Sequence, residues 1–322
     1  MSARHDRDPD GARRRGDVLV IGSISVDVSV STPHLPKPGE TVIGAGVEIG
    51  TGGKGANQAV AAARYGARTR IAGCVGDDAF AELALTELGE SGVDVSEVLR
   101  RNGGTGLAQI RTDASGENDI VVAPLANALV TREQVDEVFS RVAGDTAVLL
   151  VQLEIPVDVA LHAIRRAHDA GICVILDPAP AFPLPEEMWS SIDIVTPNET
   201  EAAAITGEPV DDAAGSEAAA EWFARKGARS SIITRAGGGA TLLTDGVTIE
   251  YPPHQVRAVD STAAGDAFAG VLAASIALGM PLPRAVEEAM LAGALTVTRR
   301  GALRSIPTKH TIDEFAADRE VR

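Results

Sequence analysis

Short apolar runs alternate along the chain with longer segments in which apolar residues recur every three or four positions. DVLVIGSISVDVSV, TRIAGCVG, TAVLLVQLE, GICVILDPAP, SIDIVTPN and SSIITRAGG read as buried strands. Between them, ANQAVAAARYGA, DAFAELALTELGESG, PVDVALHAIRRAHDAG, ETEAAAITG and SEAAAEWFARKGA carry helical spacing. Most of these close on glycine, which best adopts the left-handed turn past a helix end. Strands alternating with helices predict βαβ units, so the expected class is α/β with a mainly parallel, doubly wound sheet. Two stretches break the rhythm: STPHLPKPGETVIGAGVEIG and GTGLAQIRTDASGENDIVVAP alternate apolar with polar residues around turn formers. They predict short strands near residues 30–53 and 104–123 that pair into a small sheet over one end of the main one.

Composition narrows the class. Of 322 residues 45% are hydrophobic but only 3% aromatic, which suits close packing of helices on a sheet. A net charge of −16 argues against nucleic acid as the main partner, because phosphate backbones require clustered Lys and Arg. Cys74 and Cys173 each sit inside an apolar run, which argues against a disulfide scaffold or a thiolate zinc site and fits a reducing cytoplasm. No uninterrupted apolar run approaches the ~20 residues of a membrane span, so a soluble protein is expected. Residues 1–16, MSARHDRDPDGARRRG, mix arginine with aspartate and are expected to be a disordered tail rather than a targeting signal.

Ligands of open α/β sheets bind beyond the carboxyl ends of the strands, and Asp27, Glu154, Asp177, Asn198, Thr234 and Asp260 all follow apolar runs. TGGKGANQAV, from Thr51, sets Lys54 between glycines. Gly50, Gly52 and Gly55 satisfy G-x-G-x-x-G, but the alternating TVIGAGVEI before them is unlike the buried strand a dinucleotide loop requires. A nucleotide phosphate loop fails because Gly55, not Ser or Thr, follows Lys54. A turn packed closely on a helix remains open, yet it does not explain Lys54, Asn57 and Gln58 crowding an otherwise apolar helix start. Further on, DSTAAGDAFAG puts small residues before an apolar helix, so the N–H groups of Ala263, Ala264 and Gly265 can form an anion hole. Asp266 lies in the first helical turn, where the dipole favours its ionised form. It reads either as a helix cap or as a base beside an anion hole, the pairing that phosphoryl transfer to a hydroxyl requires.

GGKGANQA, QLEIP, TPNETE and DSTAAGDAFAG, in this order and spacing, resemble the PfkB sugar kinase family from Asp17 to about Pro307. The resemblance implies a three-layer αβα core with a small β-sheet lid, ATP as donor, magnesium with the nucleotide, a sugar hydroxyl as acceptor and a homodimer clasped through the lid. A kinase domain over 17–315 would hold its nucleotide-binding part at about 190–310. The acceptor implied is the 5-hydroxyl of D-ribose, with deoxyribose, another sugar or a nucleoside as alternatives.

Carried over by position, Gly53, Lys54 and Asn57 would face sugar hydroxyls, with Ser25, Asp27 and Glu154 beside them. Asp266 would be the base and Ala263 to Gly265 the anion hole. Asn198 and Glu201 would stand near the phosphates and magnesium, Thr234, Gly237 and Gly239 along the nucleotide, and Met290 near the adenine. Asp260, Thr262, Thr296, Arg299, Gly301 and Ser305 would form a potassium site built largely of backbone carbonyls. Three positions depart from the family: Ser25 stands where members usually carry asparagine, Ala236 replaces a glycine, and Met290 replaces a polar residue. Two other classes compete, a silent sugar-binding protein and an NAD-dependent enzyme; intact Asp266 and its anion hole argue against the first.

Overall fold

The computed structural model describes residues 15–320, so all but the last two residues of the expected tail lie outside the described residues. The chain begins with β1 (Asp17–Ile21), β2 (Ser25–Ser31), β3 (Gly46–Gly52), α1 (Lys54–Tyr65), β4 (Thr69–Val75), α2 (Ala79–Glu90), β5 (Val93–Arg100), β6 (Gly106–Thr112), β7 (Asn118–Ala123), α3 (Arg132–Val142) and β8 (Thr146–Val151). It continues with α4 (Val157–Asp169), β9 (Cys173–Leu176), β10 (Ile194–Val195), α5 (Glu199–Thr206), α6 (Ala213–Lys226), β11 (Ser230–Thr234), β12 (Ala240–Thr244), β13 (Val247–Tyr251), α7 (Ala264–Ala277), α8 (Leu282–Thr296) and α9 (Lys309–Glu320).

A nine-stranded sheet in the order β13-β12-β11-β10-β9-β8-β1-β4-β5 forms the centre. From β5 to β11 neighbouring strands are parallel, and β12 and β13 add an antiparallel edge. The apolar strand residues alternate between two cores. Val18 and Val20 face α1, α2, α7 and α8, whereas Leu19 and Ile21 face α3, α4 and α6. Burial on both faces is what the continuous apolar runs encode. The molecule is therefore a three-layer α/β protein, as expected.

Strand order reverses beside β1: the chain builds outward through β4 and β5, then returns to β1's other side with β8. Such a switch point opens a crevice at the strands' carboxyl ends. A second, four-stranded sheet, β3-β2-β6-β7, stands over this end.

DVLVIGSISVDVSV is not one buried strand. It breaks at Gly22, where a Cβ would lie 2.0 Å from Gln152 Oε1 and 2.9 Å from Gly55 Cα. β1 stays in the central sheet while β2 joins the small one, pairing with β3 and β6. The small sheet thus begins at Ser25 rather than near residue 30, and it carries Ser25 and Asp27 instead of leaving Asp27 at a central strand end. The period-two alternation of SVDVSVS was the available signal. α1 and α7 pack unusually close: a Cβ on Gly270 would lie 2.3 Å from the Gln58 carbonyl oxygen and 2.5 Å from Ala61 Cβ.

Candidate active site

The first turn of α1 explains the glycines around Lys54. A Cβ at Gly55 would lie 2.6 Å from the backbone N and O of Ser23, so only glycine lets the helix start press on the β1–β2 crossover. Lys54, Asn57 and Gln58, at helical spacings of three and four, then share one face. That face meets the first turn of α7. Asn57 Nδ2 donates to Asp266 Oδ2 at 2.9 Å, and Gln58 Nε2 donates to Asp266 Oδ1 at 3.1 Å and to Asp177 Oδ2 at 2.7 Å. Gln152 Nε2 donates in turn to Gln58 Oε1. Lys54 Nζ stands 3.4 Å from Asp177 Oδ2 and 3.5 Å from Asp266 Oδ1.

The carboxylates surround a single ammonium. Burial alone would favour neutral Lys54, but Asp177, Asp266, Glu154 and Glu201 outweigh it and hold the proton more tightly than on a free lysine. Burial pushes the Asp177 carboxyl up, with Asp266 and Glu201 adding to the shift while Lys54 and Gln58 oppose it. Asp27 is raised to about 6, first by burial and then by the charges of Glu154 and Asp266. Glu154 Oε2 accepts from Ser23 Oγ at 2.6 Å and from the Lys54 N–H at 3.1 Å, which fixes it over the helix start.

Asn57 does more than the sequence reading assigned to it. Its amide nitrogen serves Asp266, while Oδ1 is buried without a hydrogen-bond partner, an acceptor suited to a hydroxyl donor. The anion hole also differs. Ala263 adopts φ 61° as the N-cap of α7, and in that turn the Ala264 N–H reaches the Ser261 carbonyl at 3.3 Å. Of the three N–H groups expected to be free, Ala264's is thus already engaged, through a long bond.

Asn198 and Glu201 are a capping box of α5. The Glu201 N–H donates to Asn198 Oδ1 at 2.8 Å, and the Asn198 N–H donates to Glu201 Oε2 at 2.9 Å. Thr234 ends β11 beside Asn198, its N–H bonded to the Pro197 carbonyl at 3.0 Å. Ala236 takes φ 35° in the turn containing Gly237 that leads to Gly239, so the residue replacing glycine keeps a glycine-like conformation. Met290, on α8, is half-buried against the core.

Among the potassium residues, Asp260 Oδ1 accepts from the Thr262 N–H at 2.9 Å and Oγ1 at 2.7 Å, while Oδ2 accepts from the Gly301 N–H at 2.9 Å. Although burial opposes it, this bonding and nearby Arg300 hold the Asp260 carboxyl below its ordinary range. Thr296 Oγ1 and Ser305 Oγ donate to the carbonyls of Ala292 and Ala302 at 2.8 and 2.7 Å, and Arg299 is exposed. No three His, Cys, Asp or Glu side chains among the described residues gather as a metal cluster.

The structure brings Ser25, Asp27, Gly53, Lys54, Asn57, Glu154 and Asp266 to the switch point, and keeps the nucleotide and potassium residues at the starts of α5 and α7, at the end of β11 and the turn after it, on the loop before α7, and on α8 and the loop that follows it. Sequence reasoning missed Ser23 and Gln152 and gave Asp177 and Gln58 no role. Polar residues at 58 and 152, amid apolar neighbours, were the signal.

Comparison with known proteins identifies the family. The pfkB family carbohydrate kinase model matches residues 15–309. The ribokinase of Haemophilus influenzae is 37% identical over 302 residues, covering 94% of this chain and 98% of its own length. The deoxyribokinase of Salmonella typhi is 35% identical over 304 residues, covering 93% and 98%. The ribokinase structure from Thermotoga maritima superposes with a TM-score of 0.86 at 33% identity, covering 94% of this chain and 99% of that one. Arabidopsis thaliana ribokinase complexed with ribose and ATP gives 0.85 at 29% identity, covering 93% and 98%. The family model spans most of the chain and the fold is shared along its length: the chain is a member of the pfkB family of carbohydrate kinases.

Proposed function

We propose that this carbohydrate kinase transfers the γ-phosphoryl group of ATP to the 5-hydroxyl of D-ribose, giving D-ribose 5-phosphate and ADP. The observation that carries the mechanism is the buried Asp266 carboxylate, oriented by Asn57 and Gln58 in the first turn of α7. Asp266 accepts the hydroxyl proton as the sugar oxygen bonds to the γ-phosphorus, and the bond to the bridging oxygen breaks with its electron pair leaving on ADP. The N–H groups at Ala263 and Gly265 and the α7 dipole offset charge on the transferring oxygens. Asp27 and Glu154 accept hydrogen bonds from other sugar hydroxyls, and Asn57 Oδ1 takes one more.

Magnesium, bound with the nucleotide, would neutralise charge on the phosphate oxygens. Glu201 fits its oxygen-preferring shell, since its charge is felt at Lys54 and Asp177 and it stands with Asn198 at the α5 N-terminus. Thr234, Gly237 and Gly239 would line the nucleotide, with Met290 towards the adenine. A potassium ion would join the Asp260–Thr262 and Thr296–Ser305 loops, which Asp260 already ties through Gly301. A homodimer through the small sheet and a cytoplasmic setting complete the proposal; exposed Ile120 and Val122 support the first, and two cysteines outside any disulfide the second.

Deoxyribose is the second acceptor to test, because Ser25, buried at the sugar end of β2, has a shorter polar reach than an amide. A coupled ADP-release assay over pentoses, hexoses and nucleosides tests both. Ribose should give the highest kcat/KM; turnover of a nucleoside or hexose in preference would overturn the acceptor, and no turnover would favour a silent sugar-binding protein.

A further inference from the structure

Lys54 and Gln58 each reach two carboxylates, and only one of these is the proposed base. The other, Asp177, follows β9 and is 5% exposed. Its Oδ2 accepts from Gln58 Nε2 at 2.7 Å, shorter than the 3.1 Å bond from the same nitrogen to Asp266, and it lies 3.4 Å from Lys54 Nζ. Gln58 itself is fully buried and fixed from behind by Gln152. The groups facing Asp177 are Lys54 and Gln58 from α1, Asp266 from α7 and, by its charge, Glu201 from α5.

We propose that Asp177 is a positioning residue for phosphoryl transfer, holding the Lys54 ammonium and the Gln58 amide against Asp266. The proposal rests on Asp266 as base. When Asp266 takes the hydroxyl proton it ceases to be an anionic partner for Lys54. Asp177 remains one, so the ammonium stays charged and in place while negative charge builds on the transferring group. A half-buried ammonium left with no close carboxylate would carry a desolvation cost at that moment.

The test compares kcat and ribose Kd in wild type, Asp177→Asn, Asp177→Glu, Gln58→Met and Asp266→Asn. Asp177→Asn keeps the shape and removes the charge. We expect kcat to fall about tenfold or more with ribose Kd within about threefold, as for a misplaced catalytic group. Asp177→Glu restores a carboxylate and should recover part of the lost rate, which a merely structural role would not allow. Gln58→Met removes a donor shared by Asp177 and Asp266 and should also lower kcat more than affinity. Asp177→Asn with wild-type kcat, or with parallel losses in kcat and affinity, overturns the inference. If that variant does not fold, Gln58→Met decides: wild-type kcat, or parallel losses, overturns it. Should Asp266→Asn keep more than about a tenth of the rate, the base assignment fails first and takes this inference with it. An inactive Asp266→Asn beside a wild-type-like Asp177→Asn refutes the Asp177 role alone.

Discussion

Asp266 and Asp27 are carboxylates in one crevice, yet their surroundings fit them to different work. Two amides grip Asp266, so Asp266→Asn should keep the pocket's shape and ribose affinity while kcat falls ~10² to 10⁴-fold. Single-turnover rates measured alongside ribose Kd check this. Asp27 is raised to about 6 by burial and by Glu154 and Asp266, so it titrates just below neutrality. Its ionised form accepts sugar hydroxyls best, and ribose affinity without nucleotide should weaken as pH falls through about 6. Calorimetric Kd from pH 5 to 8 should show that loss, and Asp27→Asn should flatten it. For the free protein the sign is opposite. A carboxyl raised on folding binds its proton more tightly in the native state, so between its ordinary range and about 6 its contribution to stability declines as pH rises.

At the scale of elements, the small sheet exposes apolar side chains on the face that carries Asp27. Val122 is paired across Ala108 with Asp27 and is 58% exposed, and Ile120, in the next row, is 52% exposed. Covering them with a second copy's sheet would remove that surface from water and shield the sugar. Ile120→Glu with Val122→Glu should therefore sediment as a monomer where the parent is a dimer, with lower ribose affinity; a parent that is monomeric at micromolar concentration excludes the clasp. Much of this architecture was legible because a run buried on both faces and an alternating run look different. The break at Gly22 was not, since IGSIS is apolar enough to continue a strand and the cause of the turn, the Gln152 side chain, lies far away in sequence. β5, β12, β13, α3, α8 and α9 were not read as elements; β5 and β13 lie at sheet edges where the burial pattern is mixed. At the site, residue types in a known order carried the roles, but hydrogen-bond direction did not. Nothing in GANQA says that Asn57 turns its nitrogen to Asp266, and N-x-x-E reads equally as a cap of α5.

For the whole molecule in solution, a net charge of −16 means that added salt changes activity through screening alone, so ion effects must be compared at equal ionic strength. Under that condition kinase activity should rise with potassium and fall when sodium or a bulky organic cation replaces it. Equal rates in all three would leave the two loops tied only by hydrogen bonds, from the Gly301 N–H to Asp260 and from the Val259 and Asp260 N–H groups to the Val297 carbonyl. The close approach at Gly270 bears on how variants of this protein will be judged. Gly270 touches the backbone of Gln58, so it sets the spacing between the helix bearing the base and the helix bearing that base's amides. Gly270→Ala adds one methyl in the core, a change of about 1–3 kcal/mol when it overpacks. We expect a lower Tm, but also a loss of kcat that persists at temperatures where the variant is fully folded. Such a variant meets no ligand, and a screen that sorts substitutions by distance from substrate would record it as a folding defect when it is also an error of catalytic alignment.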